Sequence, residues 1–230
     1  MTFQTPRNIS TIRSRYQNRS VVAENSVLRN TYFLLGLSLM FSALAAGLSM
    51  LFPTPPNLLL NIAGMYGLLF LVHMTATSSF GIIATFMFTS FMGYTLGPLL
   101  HFVVYGFANG PEIVLTTALC TGTIFVALSA YVAATRQSLS FLGGTLFSML
   151  FCGIVLSLMG MLFQIPLLIL AVNALFILVF SGLIMYHTSE IIHGGETNYI
   201  LATISLYLAL YNLFVSLLQI MMLFSNSNRD

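Results

Sequence analysis

The chain contains 230 residues, of which 58% are hydrophobic and only 5% are charged, and its formal net charge is +2. Soluble domains carry roughly 25% charged residues, so this chain has too few polar groups to cover a globular surface. The composition therefore excludes a soluble domain and indicates a protein whose apolar surface faces the lipid of a membrane.

The N-terminal segment is polar and nearly free of acid, and its arginines precede the first apolar run: Arg7, Arg13, Arg15, Arg19 and Arg29. They are too sparse, and too poor in aromatic neighbours, to indicate binding of nucleic acid. We predict a disordered tail over residues 1–30. The same composition is also compatible with an organellar transit peptide.

Apolar runs of spanning length follow, at residues 31–52, 57–74, 79–104, 112–134, 140–163, 166–186 and 199–223. Each approaches or exceeds the roughly 20 residues that cross the hydrocarbon core as a helix. We predict an all-α, polytopic membrane protein, with a seven-transmembrane-helix bundle over residues 31–223 and a short C-terminal tail over 224–230. Gly97 and Pro98 interrupt the third run, so its last turns are expected to kink or to leave the bilayer early. A re-entrant segment is the alternative for the seventh run, because of its polar content.

The orientation follows from the arginines, which are enriched on the cytoplasmic side of membrane proteins. The arginines of the tail place the N-terminus in the cytoplasm. Arg136 falls between the fourth and fifth runs, which is the same side after four crossings. Seven crossings would place the C-terminus outside. Cys120 and Cys152 lie within apolar runs, where we expect two small buried side chains.

Small and polar side chains recur along the seventh run at helical spacing: Ala202, Ser205, Ala209, Asn212, Ser216 and Gln219. On a helix they form one stripe. Such a stripe is typical of close helix packing, in which small residues let the backbones approach. The alternative is a central helix that lines a polar path. Gly93 and Gly97 in the third run form a second pair with the spacing of a packing contact.

The segment 187–198 collects His187, Glu190, His193 and Glu196 in an otherwise almost uncharged protein. A helix that continues to His193 would place the first three on one broad face. Such a face could bind a cation or titrate near neutral pH, whereas an interfacial helix–turn–helix is the simpler interpretation. Gly194 is suited to end the sixth helix, and Thr197 or Asn198 to cap the seventh. No arrangement in the sequence indicates a catalytic site, a metal site or a cofactor.

Several short motifs resemble the Bax inhibitor-1 family, in its bacterial YccA branch: residues 28–35 (LRNTYFLL), 64–68 (GMYGL), 93–98 (GYTLGP) and 140–144 (SFLGG). The most specific match is residues 191–220, IIHGGETNYILATISLYLALYNLFVSLLQI. The resemblance implies a seven-helix fold with a central seventh helix in the bacterial inner membrane, so that the C-terminus is periplasmic. It also implies association with the membrane-bound FtsH protease. In this branch the protease grips the cytoplasmic N-terminal tail of the protein, which is a poor substrate and so occupies and restrains the protease.

Other members of the wider family resemble this chain in fold and act as pH-sensitive calcium leaks through a pair of aspartates. This chain carries His187 and Ala209 at the matching positions. Two carboxylates that share a proton can switch near neutral pH, whereas a histidine beside an alanine cannot. The resemblance therefore favours a non-enzymatic modulator of FtsH that is contacted through its tail arginines. The alternative is a calcium or proton leak along His187, Glu190, Ser205, Asn212 and Ser216.

Overall fold

The computed structural model describes the backbone of residues 9–52 and 58–227, and the side chains of 26–52 and 59–225. The described chain is all-helical, and its helices follow one another in the order α1 Ile9–Leu51, α2 Leu58–Thr75, α3 Phe80–Gly106, α4 Gly110–Thr135, α5 Leu142–Phe163, α6 Pro166–Ile192 and α7 Tyr199–Ser227. The all-α fold class is confirmed. The helix α1 extends back to Ile9, so its backbone includes most of the segment assigned above to a tail. The division into a tail and a bundle stays a prediction.

The apolar helices have the length that a membrane crossing requires. Within the described residues, six helices of 22 to 27 residues are long and apolar enough to span, and α1 contributes its part from Ser26 to Leu51. The helix α2 is shorter, with an apolar part of Leu59–Thr75. At 1.5 Å per residue its 18 residues reach about 27 Å, close to the thickness of the hydrocarbon core. The protein is therefore a polytopic helical membrane protein.

Local turn chemistry sets the ends of most helices. Pro166 occupies the first turn of α6, where its missing N–H costs no hydrogen bond. Gly194 follows α6 with a φ of +72°, a left-handed conformation that glycine adopts without strain. The Asn198 side chain caps α7, because its Oδ1 accepts a hydrogen bond from the Ile200 backbone N–H at 2.9 Å. The helix α3 continues through Pro98 to Gly106, so the proline does not end it.

The helix α7 lies at the centre of the bundle. It packs against α1, α2, α3, α4 and α6, whereas α5 packs only against α6 among the described helices. Ala202 and Ala209 are each 2% exposed, and Ser216 is 3% exposed. The predicted central position of the seventh helix is confirmed. Ser205, Asn212 and Gln219 are half-buried, so no member of the predicted stripe is exposed.

The glycines of α3 allow close contact with α1. A Cβ atom at Gly93 would overlap the carbonyl oxygen of Ser42, and one at Gly97 would overlap the Ser49 side chain. At Gly93 the overlap is with the α1 backbone, and a backbone cannot rotate away as a side chain can. The two glycines therefore lie in the α1–α3 interface, where the small-residue spacing predicted a packing contact.

The outer surface of the bundle is formed by large apolar side chains, such as Leu59 and Leu162, which are 82% and 75% exposed. Lipid tails cover such a surface in a membrane. Cys120 and Cys152 also lie on this surface as free, exposed cysteines, so the expectation that both are buried is wrong. A lipid-facing position and a core position are both apolar in a membrane protein, so the sequence did not distinguish them.

Candidate functional site

A cavity of about 590 Å³ lies beside α7, between α2 and α3 on one side and α5 and α6 on the other. The backbones of α2 and α5 do not pack against each other in the described part of the chain, so the cavity has a lateral opening between them. Most of its lining is aromatic and aliphatic, including Phe88, Phe147 and Phe180. It is an apolar chamber with a few polar groups on its wall.

Several of the residues predicted to line a polar path meet in this cavity. His187 of α6 lines it together with Ser205 and Asn212 of α7. Ala209 lines it too, so the two positions that the resemblance matched to a pair of aspartates line one chamber. The Asn212 Nδ2 donates a hydrogen bond to the Leu208 carbonyl at 2.8 Å, which satisfies part of its hydrogen-bonding capacity within α7. No carboxylate is among the described residues of this lining.

Glu190 and Ser216, which were also predicted for the path, lie outside the cavity lining. The Glu190 carboxylate packs against Gly195, where a Cβ atom would overlap its Oε2. The Glu190 carbonyl accepts a hydrogen bond from the Gly195 backbone N–H at 2.8 Å. Glu190 therefore belongs to the turn between α6 and α7. Ser216 is buried further along α7.

The end of α6 holds the connection between α4 and α5. The Ser189 hydroxyl donates a hydrogen bond to the Gln137 carbonyl at 3.0 Å and accepts one from the Leu139 backbone N–H at 3.0 Å. The His193 ring adds two contacts, with Nδ1 2.8 Å from the Ser189 carbonyl and Nε2 3.1 Å from the Arg136 carbonyl. A neutral imidazole donates to only one of these carbonyls, whereas an imidazolium donates to both. This part of the His/Glu cluster is therefore a structural clamp.

The start of α7 is joined to the α2–α3 connection in the same way. The Asn198 Nδ2 donates a hydrogen bond to the Ala76 carbonyl at 2.9 Å. The Glu196 carboxylate accepts a hydrogen bond from the Asn198 backbone N–H at 2.8 Å. Within the described residues, no group of three His, Cys, Asp or Glu side chains is arranged to hold a metal ion.

Tyr207 is the polar centre of the bundle, and no pattern in the sequence predicted this role. The side chain is 1% exposed, and its hydroxyl lies 2.7 Å from the Ser42 hydroxyl of α1. The same hydroxyl donates a hydrogen bond to the Thr89 carbonyl of α3 at 3.2 Å. Tyr207 thus links three helices. One tyrosine among ten in the sequence gives no signal of such a role.

The tail arginines lie largely outside the described part of the molecule. Arg7 falls before the first described residue, and the side chains of Arg13, Arg15 and Arg19 are not described. Their assignment as contacts for a partner stays a prediction. Arg29 is described, and it lies exposed near the start of the spanning part of α1.

The helices and the chamber define a polytopic membrane protein with an apolar cavity beside a central helix. The family described as "Inhibitor of apoptosis-promoting Bax1" matches residues 24–226. The chain belongs to this family, the Bax inhibitor-1 family.

The chain is also similar to curated bacterial proteins over almost its whole length. It is 49% identical to "Modulator of FtsH protease YccA" of Escherichia coli K12, over 91% of this chain and 95% of the relative. It is 47% identical to an uncharacterized protein of Pseudomonas aeruginosa, over 90% and 95% of the two chains. It is 40% identical to an uncharacterized membrane protein of Vibrio cholerae, over 89% and 92%.

Proposed function

We propose that the protein binds the FtsH protease and restrains it, as a non-enzymatic modulator. The observation that carries this proposal is the 49% identity to a relative named as a modulator of FtsH, over 91% of this chain and 95% of that relative. Because the match covers 91% of this chain, it includes most of the bundle and not only one motif. A modulator of a membrane-bound protease needs a stable anchor in the membrane and a segment that the protease can reach.

The architecture supports the N-terminal tail as that segment. On the side of the membrane that the tail would occupy, the α2–α3, α4–α5 and α6–α7 connections contain only residues 76–79, 136–141 and 193–198, which are too short to reach a partner far from the membrane. The tail carries Arg7, Arg13, Arg15 and Arg19 ahead of the first spanning segment. Positive charge is retained on the cytoplasmic side of membrane proteins, so the tail would face the cytoplasm and the C-terminus the periplasm. A relative named as an inner membrane protein, 49% identical, supports the bacterial inner membrane as the location.

The test is to replace the tail while keeping the bundle. Val27 and Leu28 pack against the core, so the replacement should stop before Ser26. Residues 2–22 are exchanged for a Gly/Ser segment of equal length, and degradation of a membrane substrate by FtsH is measured in proteoliposomes. We expect the full chain to slow degradation and the exchanged chain to leave it unchanged. A matched variant with Arg13, Arg15 and Arg19 changed to Gln separates the effect of charge from that of the segment. Full restraint by the Gly/Ser variant would contradict the tail as the contact.

A cation leak is the second candidate, because His187, Ser205 and Asn212 line one cavity. Calcium prefers several oxygen ligands, usually including carboxylates, and no described residue of this lining supplies a carboxylate. Charged residues in an ion pathway are normally retained despite their cost in the membrane. The direct measurement is calcium and proton flux into liposomes, with Asn212→Leu as the variant. A flux above that of empty liposomes, lost in this variant, would favour the leak.

A further inference from the structure

A second lateral opening lies on the opposite side of the central helix, between α1 and α4. The backbones of these two helices do not pack against each other in the described part of the chain. At the arginine-rich end of α1, a recess of about 470 Å³ separates them, and it is lined by Arg29 and Tyr32 of α1 and by Phe125, Ser129, Ala130 and Ala133 of α4. The recess exists because the α4 side chains that line it at positions 130 and 133 are short. A large residue at either position would fill it.

A separate inner cavity lies farther along α1 and α4 from the arginine-rich end. Phe125 lines both this recess and an inner cavity of about 360 Å³ between α1, α3, α4 and α7. Its ring packs on Tyr32 with the ring centroids 5.6 Å apart, so the pair forms the boundary between the two spaces. Apolar residues such as Leu39, Ala43 and Ala46 line the inner part on α1. The opening is therefore polar at one end and apolar along its length.

Two polar groups at the mouth of the recess have no partner among the described residues. No described side chain forms an ion pair with the Arg29 guanidinium, which is exposed at the mouth of the recess. Ser129 is 5% exposed, and its hydroxyl finds no hydrogen-bond partner among the described residues. A buried hydroxyl without a partner costs free energy, and a rotation about its Cα–Cβ bond can bring it to a ligand oxygen.

We propose that this opening binds one anionic phospholipid of the surrounding bilayer. The phosphate is held by Arg29, whose planar fork of donors matches phosphate oxygens. Ser129 donates to a phosphate or ester oxygen, and one acyl chain lies along the recess as far as Phe125. The described lining of the recess contains a positive charge and no acidic group, which favours an anionic headgroup over a zwitterionic one. The proposal does not depend on the protease as the partner.

The test is native mass spectrometry of the full chain in detergent micelles with added dioleoylphosphatidylglycerol. We expect Arg29→Gln to weaken binding of the first lipid about tenfold, the effect of losing one charge-assisted contact. Arg136→Gln is the matched control, since this exposed arginine lies at the same end of the bundle but outside the recess. It should change binding less than about twofold. Equal losses of lipid binding in the two variants would mean that positive charge in general attracts the lipid. That result would contradict the proposed site.

A second pair of variants tests the shape of the recess. Ala133→Phe fills it, whereas Ala134→Phe adds the same ring at an exposed position outside its lining. We expect only the former to displace the lipid. Binding that survives Ala133→Phe, or binding of dioleoylphosphatidylethanolamine as tight as that of the anionic lipid, would contradict the proposal. If Ala133→Phe lowers the unfolding temperature, the arginine pair alone decides the outcome.

Discussion

Gly93 determines how closely α1 and α3 approach, because its missing side chain leaves room for the Ser42 backbone. We predict that Gly93→Ala lowers the free energy of unfolding by about 1–3 kcal/mol, the usual cost of overpacking a contact that cannot relax. Gly47→Ala in α1 is the control, since nothing lies within 4 Å of a Cβ atom there. It should be neutral or stabilising, because alanine favours a helix over glycine. Unfolding in mixed micelles measures both, and equal stabilities would contradict the close contact.

Ala209 and His187 occupy the positions at which a titrating pair of carboxylates would face the cavity. We predict that Ala209→Asp makes calcium flux into liposomes increase between about pH 6 and pH 8, because the added carboxyl loses its proton and becomes negative as the pH rises. The asparagine in Ala209→Asn is nearly the same size as aspartate but carries no charge, so calcium flux through this variant should not depend on pH. A folded aspartate variant with equal flux at both pH values would show that this position does not control a path.

At the scale of the elements, the end of α6 holds the α4–α5 connection through Ser189. We predict that Ser189→Ala destabilises this connection by about 1–3 kcal/mol, since it leaves the Leu139 N–H buried without an acceptor. Hydrogen exchange of residues 136–141 should therefore become faster, while that of α7 stays unchanged. Ser140→Ala is the control in the same connection, because Ser140 is exposed and its hydroxyl bonds, among the described residues, only to that of the exposed Ser138. Unchanged exchange in the Ser189 variant would contradict the clamp.

The positions of the helices were predictable from the sequence because the signals are local. Apolar runs of about 20 residues mark spanning helices, and Pro166, Gly194 and Asn198 each mark a boundary through their own backbone preferences. The central position of α7 was also predictable, since its small and polar stripe must be buried in protein. Pro98 was the exception, because a proline within a packed membrane helix is tolerated when neighbouring groups satisfy the freed carbonyl.

The faces of the helices were much less predictable. In water, an apolar side chain indicates the core, but in a membrane it is equally suited to lipid. The buried Tyr207 and the exposed Cys152 therefore have the same kind of sequence environment. The cavity beside α7 and the recess at Arg29 lie where helix backbones do not pack against each other, α2 with α5 and α1 with α4, and no local pattern encodes such a gap. Only the meeting of His187 with Ser205 and Asn212 followed from the predicted polar path.

At the scale of the whole molecule, the bundle resembles a packed anchor more than a channel. The central helix is surrounded by five others, and its polar hub at Tyr207 connects α1, α3 and α7 by hydrogen bonds. The chamber beside it is mainly apolar, and its described lining carries no carboxylate. These features suit a protein that persists in the membrane while a protease acts at its N-terminal tail, because a stable bundle resists extraction.

The most direct test of the proposed function is the rate at which FtsH degrades a membrane substrate in proteoliposomes that contain increasing amounts of the full chain. We expect the degradation rate to fall and to reach a plateau near a stoichiometric amount of the chain, while the chain itself is degraded slowly. Liposomes that contain an unrelated polytopic protein at the same density control for crowding of the membrane. A degradation rate that is independent of the chain would contradict the proposed function.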